Sequence, residues 1–597
     1  LVDIELRVPV AGAGRTEAPP IDLWMPVWTP GSYLVREYAR HVESFSACDG
    51  AGRLLVWRKT RKNHWEVEPG GATEVIVRYR VYGREMSVRT NWIEDGFAFL
   101  NGAPTFLTVR GMEQHPHRLT LEIPEAWAGV WTSLEPAGGG ASEADAGGGS
   151  AATAGGASGS ARSFLARDLD ELVDSPILAG TPAVYDFTVD GKPVSLVNLG
   201  EGGLWDGAQT ARDVQRIVEA YRDLYGSLPF SRYIFFNLIV EGSGGLEHKG
   251  SCVLMASRYA YRKRSAYIDW LGLASHEFFH VWNVKRSRPI ALGPFDYENE
   301  NYTRSLWVAE GITNYYTDLM PCRAGLTSEK EFLGEFSKLI DTLQNTPGRA
   351  LHSLEESSFD AWIKLYRADE NTANTTISYY VKGGVVAWLL DAEIRRASGG
   401  KRSLDDLMRA LFERYSGERG YTEEDVERAA AEVAGAPLDA FFDACVRGTG
   451  ELDYSGGWGL LGLRFKPTEA PGEDGPRGWL GLETRVDNGR LLVKSVRRDG
   501  PAREAGIQVD DEILALGGYR VTATTLAERL QQYGPGERVE VLLARRDAVR
   551  VAPVTIAADP GSPWKLEADP AASAEIVARR EAWLGRGQGR GAGAPSG

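Results

Sequence analysis

The segment SHEFFHVWN, residues 275–283, decides how the rest of the chain is interpreted. His276 and His280 stand four positions apart, and Glu277 directly follows the first histidine. The surrounding pattern predicts a helix over residues 264–285, on which positions i and i+4 share one face. Two adjacent imidazoles suit one Zn²⁺ at about 2.0–2.1 Å, and the glutamate between them can act as a general base without ligating the metal. The alternative is a pair of core histidines on an amphipathic helix.

A third metal ligand is predicted downstream, which the core-histidine alternative does not require. Glu310, in WVAEGITNYY, lies thirty positions beyond His280 on a second predicted helix, residues 305–320. Two histidines and one glutamate leave the fourth zinc position open, which is typical of catalytic sites rather than structural ones. We therefore expect one catalytic Zn²⁺ per chain, held by His276, His280 and Glu310. Candidate hydrogen-bond partners of these ligands are Asn283 and Asn314.

The composition excludes two classes of partner. The 597 residues carry a formal net charge of −15, whereas nucleic acids and anionic membranes attract a basic face. No apolar run approaches the roughly 18 residues that a membrane helix needs, so we expect no membrane span. The four cysteines are scattered without CxxC spacing and are expected to be buried. The chain begins at Leu1 with no visible signal segment, and a cytoplasmic location is slightly favoured over a periplasmic one.

The chain changes character along its length. Residues 1–182 alternate apolar and polar residues between Gly and Pro, which predicts a β-sandwich. Residues 136–163 contain almost no large apolar side chain, and we expect a disordered surface insertion there. Residues 183–455 join a few strands to a mostly helical second half. Short strands and brief helices alternate over residues 456–560, and residues 561–597 are expected to form a frayed tail.

Four short motifs occur in a fixed order. They are GGLEH (244–248), HEFFHVWN (276–283), WVAEG (307–311) and YYVKGG (379–384). This order resembles that of the gluzincin aminopeptidases. Together with PGSYLVREYARHV (30–42), NVKRSRP (283–289) and a PDZ-like C-terminal module, it is similar to the PDZ-bearing branch of the glycyl aminopeptidase family. The resemblance covers nearly the whole chain except the insertion and the tail.

The resemblance implies a multidomain α+β fold and an activity. The N-terminal β-sandwich would precede a thermolysin-like (gluzincin) catalytic domain with a helical subdomain, residues 183–455, and a PDZ domain, residues 456–560. The expected function is a zinc-dependent aminopeptidase that hydrolyses the N-terminal bond of peptides, with a preference for N-terminal Gly or Ala. Two alternatives stay open, namely a zinc endopeptidase of the same fold and a PDZ peptide-binding adaptor with an inactive peptidase domain.

The resemblance also assigns roles to the other motifs. Glu247 matches the glutamate that binds the free α-ammonium of the substrate, and a buried carboxylate would reward that charge. The backbones of Gly244 and Gly245 are candidates for pairing with the substrate strand. Tyr380 matches the tyrosine that stabilises the oxyanion, although the adjacent Tyr379 stays an alternative. Glu277 would be the general base and then the general acid.

The sequence departs from the pattern of the larger relatives at three points. The interval between the second histidine and Glu310 is longer, and an extra loop at about residues 288–303 explains it. Leu246 stands in place of a methionine. His248 stands in place of an asparagine, so it is either a contact near the substrate terminus or a solvent-exposed loop histidine.

The C-terminal module resembles a PDZ domain of the bacterial protease type. GWLGLETRV (478–486) contains the residues that match the carboxylate-binding loop, Leu480, Gly481 and Leu482. Their backbone N–H groups would bind the C-terminal carboxylate of a peptide, which would extend the sheet beside a helix over residues 525–534. The alternative is a docking domain that binds no peptide.

Overall fold

The computed structural model describes residues 1–10, 19–137, 162–466, 478–561 and 563–586. Contacts divide the chain into two units, which are described one at a time. The first unit comprises Leu1–Thr303, Tyr316–Thr327 and Met408–Thr422, and the second comprises Arg304–Tyr315, Ser328–Leu407 and Glu423–Gly597. The mixed α+β fold predicted from the sequence is confirmed, whereas the domain boundaries at residues 182, 455 and 560 remain a prediction.

The first unit begins with β-strands, and the last of its strands ends at Ala256. Its strands are β1 Val2–Pro9, β2 Ile21–Trp24, β3 Val42–Asp49, β4 Trp57–Arg61, β5 His64–Val67, β6 Glu74–Val81, β7 Trp92–Ile93, β8 Ala98–Leu100, β9 Thr108–Val109, β10 His117–Leu121, β11 Gly129–Thr132, β12 Glu135–Pro136, β13 Arg162–Ala166, β14 Ile177–Gly180, β15 Ala183–Val189, β16 Lys192–Leu199, β17 Tyr233–Ile239, β18 Gly244–Glu247 and β19 Ser251–Ala256. Its helices are α1 Leu169–Val173, α2 Gly207–Tyr225 and α3 Arg264–Phe279.

The N-terminal strands form several small sheets around shared cores. The sheet β1-β6-β3 and the sheet β4-β5-β2-β9 bury Val77 and Trp65, respectively, in one hydrophobic cluster, which is the arrangement of a sandwich. The predicted insertion lies between β12 and β13, which pair with each other at Glu135↔Leu165. The segment expected to be disordered, residues 136–163, lies outside the described residues except at its two ends.

A five-stranded sheet, in the order β15-β16-β17-β19-β18, carries the central motif of the chain. The strands β16, β17 and β19 are parallel, and β18 pairs antiparallel with β19 at one edge. The helix α3 follows β19 and packs against both β18 and β19. Residues on the sheet, such as Phe236 and Val253, bury their side chains completely in a cluster with Leu246 of β18.

The second unit contains most of the helices and the PDZ sheet. Its helices, two of which extend into the first unit, are α4 Ile312–Arg323, α5 Glu329–Gln344, α6 Leu354–Phe359, α7 Thr372–Thr375, α8 Tyr379–Ala397, α9 Leu404–Tyr415, α10 Glu423–Ala434, α11 Asp439–Phe442, α12 Ser455–Leu461, α13 Pro501–Glu504, α14 Leu526–Leu530 and α15 Ala574–Trp583. Its strands are β20 Leu463–Phe465, β21 Gly478–Trp479, β22 Leu482–Asp487, β23 Arg490–Val496, β24 Glu512–Leu516, β25 Tyr519–Arg520, β26 Arg538–Arg545, β27 Ala548–Thr555, β28 Ala557–Ala558 and β29 Leu566–Ala568.

Part of the segment predicted as a tail is ordered. Strand β29 pairs with β20, and helix α15 buries Trp583, whose Nε1 donates to the hydroxyl of Tyr315 at 2.8 Å. Tyr315 in turn donates to Asp391 at 2.9 Å. Residues 587–597 lie outside the described residues. Among the residues that are described, we find no helix with the length and apolar character needed to cross a membrane.

Candidate active site

Helix α3 brings the two histidines of the opening motif together and ends sooner than predicted. Its last residue is Phe279, so His280 caps the helix, and the ring centroids of His276 and His280 are 4.8 Å apart. The backbone then turns sharply, since the N–H of Lys285 donates to the carbonyl of His280 at 3.1 Å and Val284 has a φ of 98°. The helix expected over residues 264–285 is therefore six residues shorter at its C-terminal end.

Both histidine rings are anchored through Nδ1. In His276 this atom lies 2.9 Å from Oγ1 of Thr317, and in His280 it lies 3.0 Å from the backbone oxygen of Asn283. A histidine held by its Nδ1 proton presents Nε2 to a metal, and such partners fix both tautomer and ring orientation. Asn283 contacts His280 through its backbone carbonyl. Thr317 was missed from the sequence because it follows the third motif by six positions and carries no pattern of its own.

Glu277 lies against the backbone of β18. Its side chain is buried, and a Cβ placed on Gly245 would stand only 1.9 Å from its Oε1 and 2.4 Å from its Cδ. A glycine is therefore required at position 245 for Glu277 to keep its place. The donor atoms of Glu247, Glu277 and His280 all lie within 4.8 Å of one another, so the predicted base and the predicted amine anchor share one small volume.

Glu247 is a buried carboxylate without a counter-ion in contact. Its side chain is 4% exposed, and among the described residues it forms no side-chain hydrogen bond and no ion pair. Burying a carboxylate without a partner is unfavourable by several kcal/mol, on the order of the cost of a buried unpaired ion. A position of this kind is suited to a cationic ligand.

His248 is buried, which contradicts the solvent-exposed alternative. It is 2% exposed, and its Nδ1 lies 3.2 Å from Asp174, which also accepts from the Nζ of Lys285 and from the N–H of Lys249, both at 2.8 Å. Burial opposes the ionisation of Asp174, but Lys285 and His248 outweigh it and hold the pKa of this carboxyl well below its ordinary value. Asp174 and Lys285 were not singled out from the sequence, although Lys285 lies within the NVKRSRP segment.

Glu310 lies on a π-helical turn, Trp307–Gly311, that precedes α4. The second predicted helix, residues 305–320, thus begins with this wider turn and continues to Arg323. Gly311 lies against α8, because an added Cβ would stand 2.6 Å from the Cα of Gly383. Glu310 is buried, and with His276 and His280 it completes the ligand set expected from the sequence. This set of two imidazoles and one carboxylate fits zinc with a position to spare.

The two tyrosines of the fourth motif differ in exposure. Tyr379 is completely buried, whereas Tyr380 is half-buried and its hydroxyl lies 3.5 Å from that of Tyr366. Ser378 caps α8 by accepting from the N–H of Tyr380 at 3.2 Å. Burial and the nearby carboxylate of Glu310 raise the pKa of Tyr380 well above its ordinary value, so the phenol stays protonated. Asn314, the other predicted partner of the ligands, donates to the backbone oxygen of Tyr380 at 3.1 Å and so contacts α8.

The loop at residues 288–303 packs on the N-terminal strands. The indole Nε1 of Trp28 donates to the carbonyl of Asp296 at 2.8 Å, and Tyr297 is part of the hydrophobic cluster of the sandwich. The side chain of Glu298 pairs with His64 and with Arg110. The loop therefore connects the segment that follows the HEFFHVWN motif to the sandwich within the first unit.

The predicted carboxylate loop of the PDZ module, Leu480–Leu482, connects β21 to β22. The strand β22 is at the edge of the sheet β22-β23-β24-β26-β27, and α14 covers only part of the predicted helix 525–534. A Cβ on Gly481, whose φ is 72°, would stand 2.7 Å from the Cα of Gly500, so this position requires glycine.

The PDZ module also docks on the helical part of the second unit. Asn374 donates to the carbonyl of Val496 at 2.8 Å and accepts from the N–H of Arg498 at 2.8 Å. The guanidinium of Arg497 donates to the carbonyl of Asn345 at 2.6 Å. The docking contacts thus come from the end of β23 and the following residues.

The fold and the site together define a peptidase of the metallopeptidase class with an added PDZ domain. Three family models match: the Peptidase M61 N-terminal domain over residues 1–181, the M61 glycyl aminopeptidase over residues 269–386 and a PDZ domain over residues 459–556. The chain belongs to the M61 glycyl aminopeptidase family, which confirms the resemblance seen in the sequence.

Two solved structures show similarity to this chain. An aminopeptidase N family protein from Idiomarina loihiensis is 27% identical, with a TM-score of 0.85 over 98% of this chain and 97% of its own. An M1 zinc metallopeptidase from Deinococcus radiodurans is 15% identical and covers 76% of this chain and 90% of its own, with a TM-score of 0.43. Among curated proteins, none matches the chain.

Proposed function

We propose that this protein is a zinc-dependent aminopeptidase that removes the N-terminal residue of peptides, with Gly or Ala preferred. The observation that carries the proposal is the pair of imidazoles of His276 and His280, whose ring centroids are 4.8 Å apart and whose Nδ1 atoms each have a partner, so that both Nε2 atoms can face a metal. The preference for Gly or Ala rests on the family, whose description is that of glycyl aminopeptidases.

The residues of the chain divide the chemistry among them. His276, His280 and Glu310 would hold the metal; when bound, zinc acts as a Lewis acid and lowers the pKa of water toward 7. Glu277 accepts the proton of the attacking water and delivers it to the leaving amine. Tyr380 donates a hydrogen bond to the carbonyl oxygen of the scissile bond as negative charge develops on it.

The choice between the two tyrosines favours Tyr380. Tyr379 has no exposed surface, whereas Tyr380 is half-buried and its hydroxyl can be reached by a substrate. A neutral hydroxyl donates to an oxyanion without adding charge to the site. Tyr380 therefore remains the proposed donor.

Glu247 supplies the exopeptidase selectivity in this proposal. Its buried carboxylate, which has no ion pair among the described residues, gains a charge-assisted hydrogen bond when a substrate ammonium enters. An internal or N-acetylated peptide offers no such cation and leaves the carboxylate buried and unpaired.

The edge strand β18 offers a place for the substrate backbone. It ends the five-stranded sheet, and the backbones of Gly244 and Gly245 would pair with an extended peptide, as in β-strand addition. Gly245 lies directly over Glu277, so a peptide bound there would pass beside the proposed base.

The PDZ module is proposed to bind the C-terminal carboxylate of a peptide through Leu480, Gly481 and Leu482. Its edge strand β22 supports this function, since a peptide can extend the sheet there. The docking contacts through Val496, Arg497 and Arg498 involve other residues, so docking and peptide binding are compatible.

A panel of aminoacyl chromogenic substrates, free and N-acetylated, tests the proposal with and without a chelator. We expect turnover of the free Gly and Ala substrates, loss of turnover on chelation and recovery with Zn²⁺. Turnover that persists in Glu277→Gln, or that survives exhaustive chelation, would show that the mechanism is wrong. Efficient cleavage of N-acetylated peptides would instead identify an endopeptidase, and an absence of all turnover would favour the adaptor.

A further inference from the structure

The segment PGSYLVREYARHV, residues 30–42, has no role in the reaction described above. It begins in the connection between β2 and β3, where the N–H of Ser32 donates to the carbonyl of Thr29 at 3.1 Å and closes a tight turn. We refer to Thr29–Ser32 as the amine-site turn. Gly31 adopts a φ of +85° within it, a conformation that favours glycine.

The amine-site turn lies directly against Glu247. A Cβ on Gly31 would stand 2.5 and 2.6 Å from the two carboxylate oxygens of Glu247 and 2.7 Å from Cδ1 of Leu246. Consecutive side chains of a strand point to opposite faces, so a position that meets both of these side chains lies beside the edge of the strand. Since β19 pairs with the inner edge of β18, the turn occupies the outer edge at the Glu247 end.

The turn is held firmly by the sandwich. The guanidinium of Arg36 donates to the hydroxyl of Ser32 at 2.9 Å and to the carbonyl of Leu34 at 3.0 Å. The flanking aromatic residues Trp28 and Tyr33 are both buried. Because the turn is held at both ends, we expect it to move less than the side chain of Glu247, which it faces.

We propose that the amine-site turn closes the end of the substrate groove and fixes the carboxylate of Glu247, so that the N-terminal domain sets the requirement for a free amino terminus. The proposal rests on the aminopeptidase function given above. A peptide paired with β18 at Gly244 and Gly245 would run into the turn beside Glu247, where the buried carboxylate favours an ammonium group. Gly31 is then a position that determines specificity without touching the reacting atoms.

The first test is Gly31→Ala, with Gly52→Ala as the matched control. Gly52 lies in the same domain with a φ of +81° and no atom within 4 Å of an added Cβ, so both variants carry the same backbone strain but only one meets Glu247. The flexible carboxylate is the group that moves most easily. We expect Gly31→Ala to raise KM for a free alanyl substrate about tenfold while kcat and zinc content stay within about threefold, and Gly52→Ala to change none of them.

A double-mutant cycle shows whether the effect passes through Glu247. Aspartate is one methylene shorter, so Glu247→Asp should leave room for the new methyl group, and Gly31→Ala should cost less in that background than in the wild type. Additive effects on KM, or equal effects of the Gly31 and Gly52 variants, would overturn the proposal.

The closure itself is tested with Glu247→Ala and an N-acetylated tripeptide. The variant removes the anchor but keeps the wall, so we expect it to lose cleavage of free-amine substrates without gaining cleavage of the acetylated peptide. A gain of that cleavage would show that the groove is open at this end. If Glu247→Gln leaves KM for free-amine substrates unchanged, Glu247 is not the amine anchor. That outcome contradicts the proposed function itself, and it differs from a failure of the amine-site turn because the variant leaves Gly31 in place.

Discussion

The substitution Gly245→Ala gives the sharpest view of how Glu277 is positioned. An added Cβ would stand 1.9 Å from Oε1 of Glu277, and contacts below 3.0 Å are essentially absent from real structures. The carboxylate must therefore retreat by at least 1.1 Å, which is 3.0 minus 1.9. The backbone of Gly245 is not in the left-handed region, so alanine adds no conformational strain of its own.

The expected loss follows from this displacement. A misplacement of about 1 Å costs on the order of 100-fold in rate, or about 2.7 kcal/mol of transition-state stabilisation. Because Glu277 is the proposed general base of the chemical step, we expect kcat to fall by this factor while zinc content is unchanged from that of the wild type. His276 and His280 each have an anchor of their own at Nδ1, so we expect metal binding to be maintained.

The assay is steady-state turnover of an alanyl chromogenic substrate combined with elemental analysis of the purified protein. Gly71→Ala is the control, since an added Cβ there meets no atom within 4 Å and its backbone is not in the left-handed region. A kcat for Gly245→Ala within about threefold of the wild type would refute the reasoning. Loss of zinc in the variant would show that the displacement reaches the ligands and that Glu277 is not moved alone.

Three further results are expected. Thr317→Val removes the partner of His276 and should weaken zinc binding by about 10- to 100-fold, measured by competition with a chelator. Tyr380→Phe should lower kcat by about 100- to 1,000-fold without loss of zinc, measured by turnover and elemental analysis. Asp174→Asn should lower the free energy of unfolding by about 3 kcal/mol, measured by urea unfolding at pH 7, because Lys285 is left buried and unpaired. Since the pKa of Asp174 is depressed, its contribution is complete above about pH 4 and is lost as pH falls toward the lowered pKa, so the difference between the two proteins should shrink below pH 4.

The sequence predicted the part of the site whose residues stand only a few positions apart. The spacing of His276 and His280 places both on one face, and the distances between them bear this out. The length of the helix was overestimated, because the turn made by Val284 and Lys285 depends on the backbone of His280 and on no local breaker before Pro289. Glu310 was assigned to an ordinary helix, whereas a π-helical turn adds a residue to the turn that bears it.

The groups that orient these residues could not be predicted, because they come from distant parts of the chain. Thr317 is 41 positions from His276, and Asp174 is 74 positions from His248. A single threonine or aspartate has no periodicity to mark it. The segment PGSYLVREYARHV contributes to the family resemblance. Nothing in it indicates that Gly31 faces Glu247, which is more than 200 positions away in the sequence.

The order of residues in the GGLEH motif matches the alternation of side chains between the two faces of a β-strand. Gly245 and Glu247 are two positions apart on β18 and therefore face the same side, while Leu246 points to the other side and packs among Phe236 and Val253 in the sheet core. Because position 245 has no side chain, Glu277 can lie over the strand and reach within 4.8 Å of Glu247. Any side chain at 245 would separate these two carboxylates, and a shift of register by one residue would turn Glu247 into the core. The motif thus places the proposed amine anchor beside the proposed general base on an edge strand, while Leu246 holds that strand in its sheet.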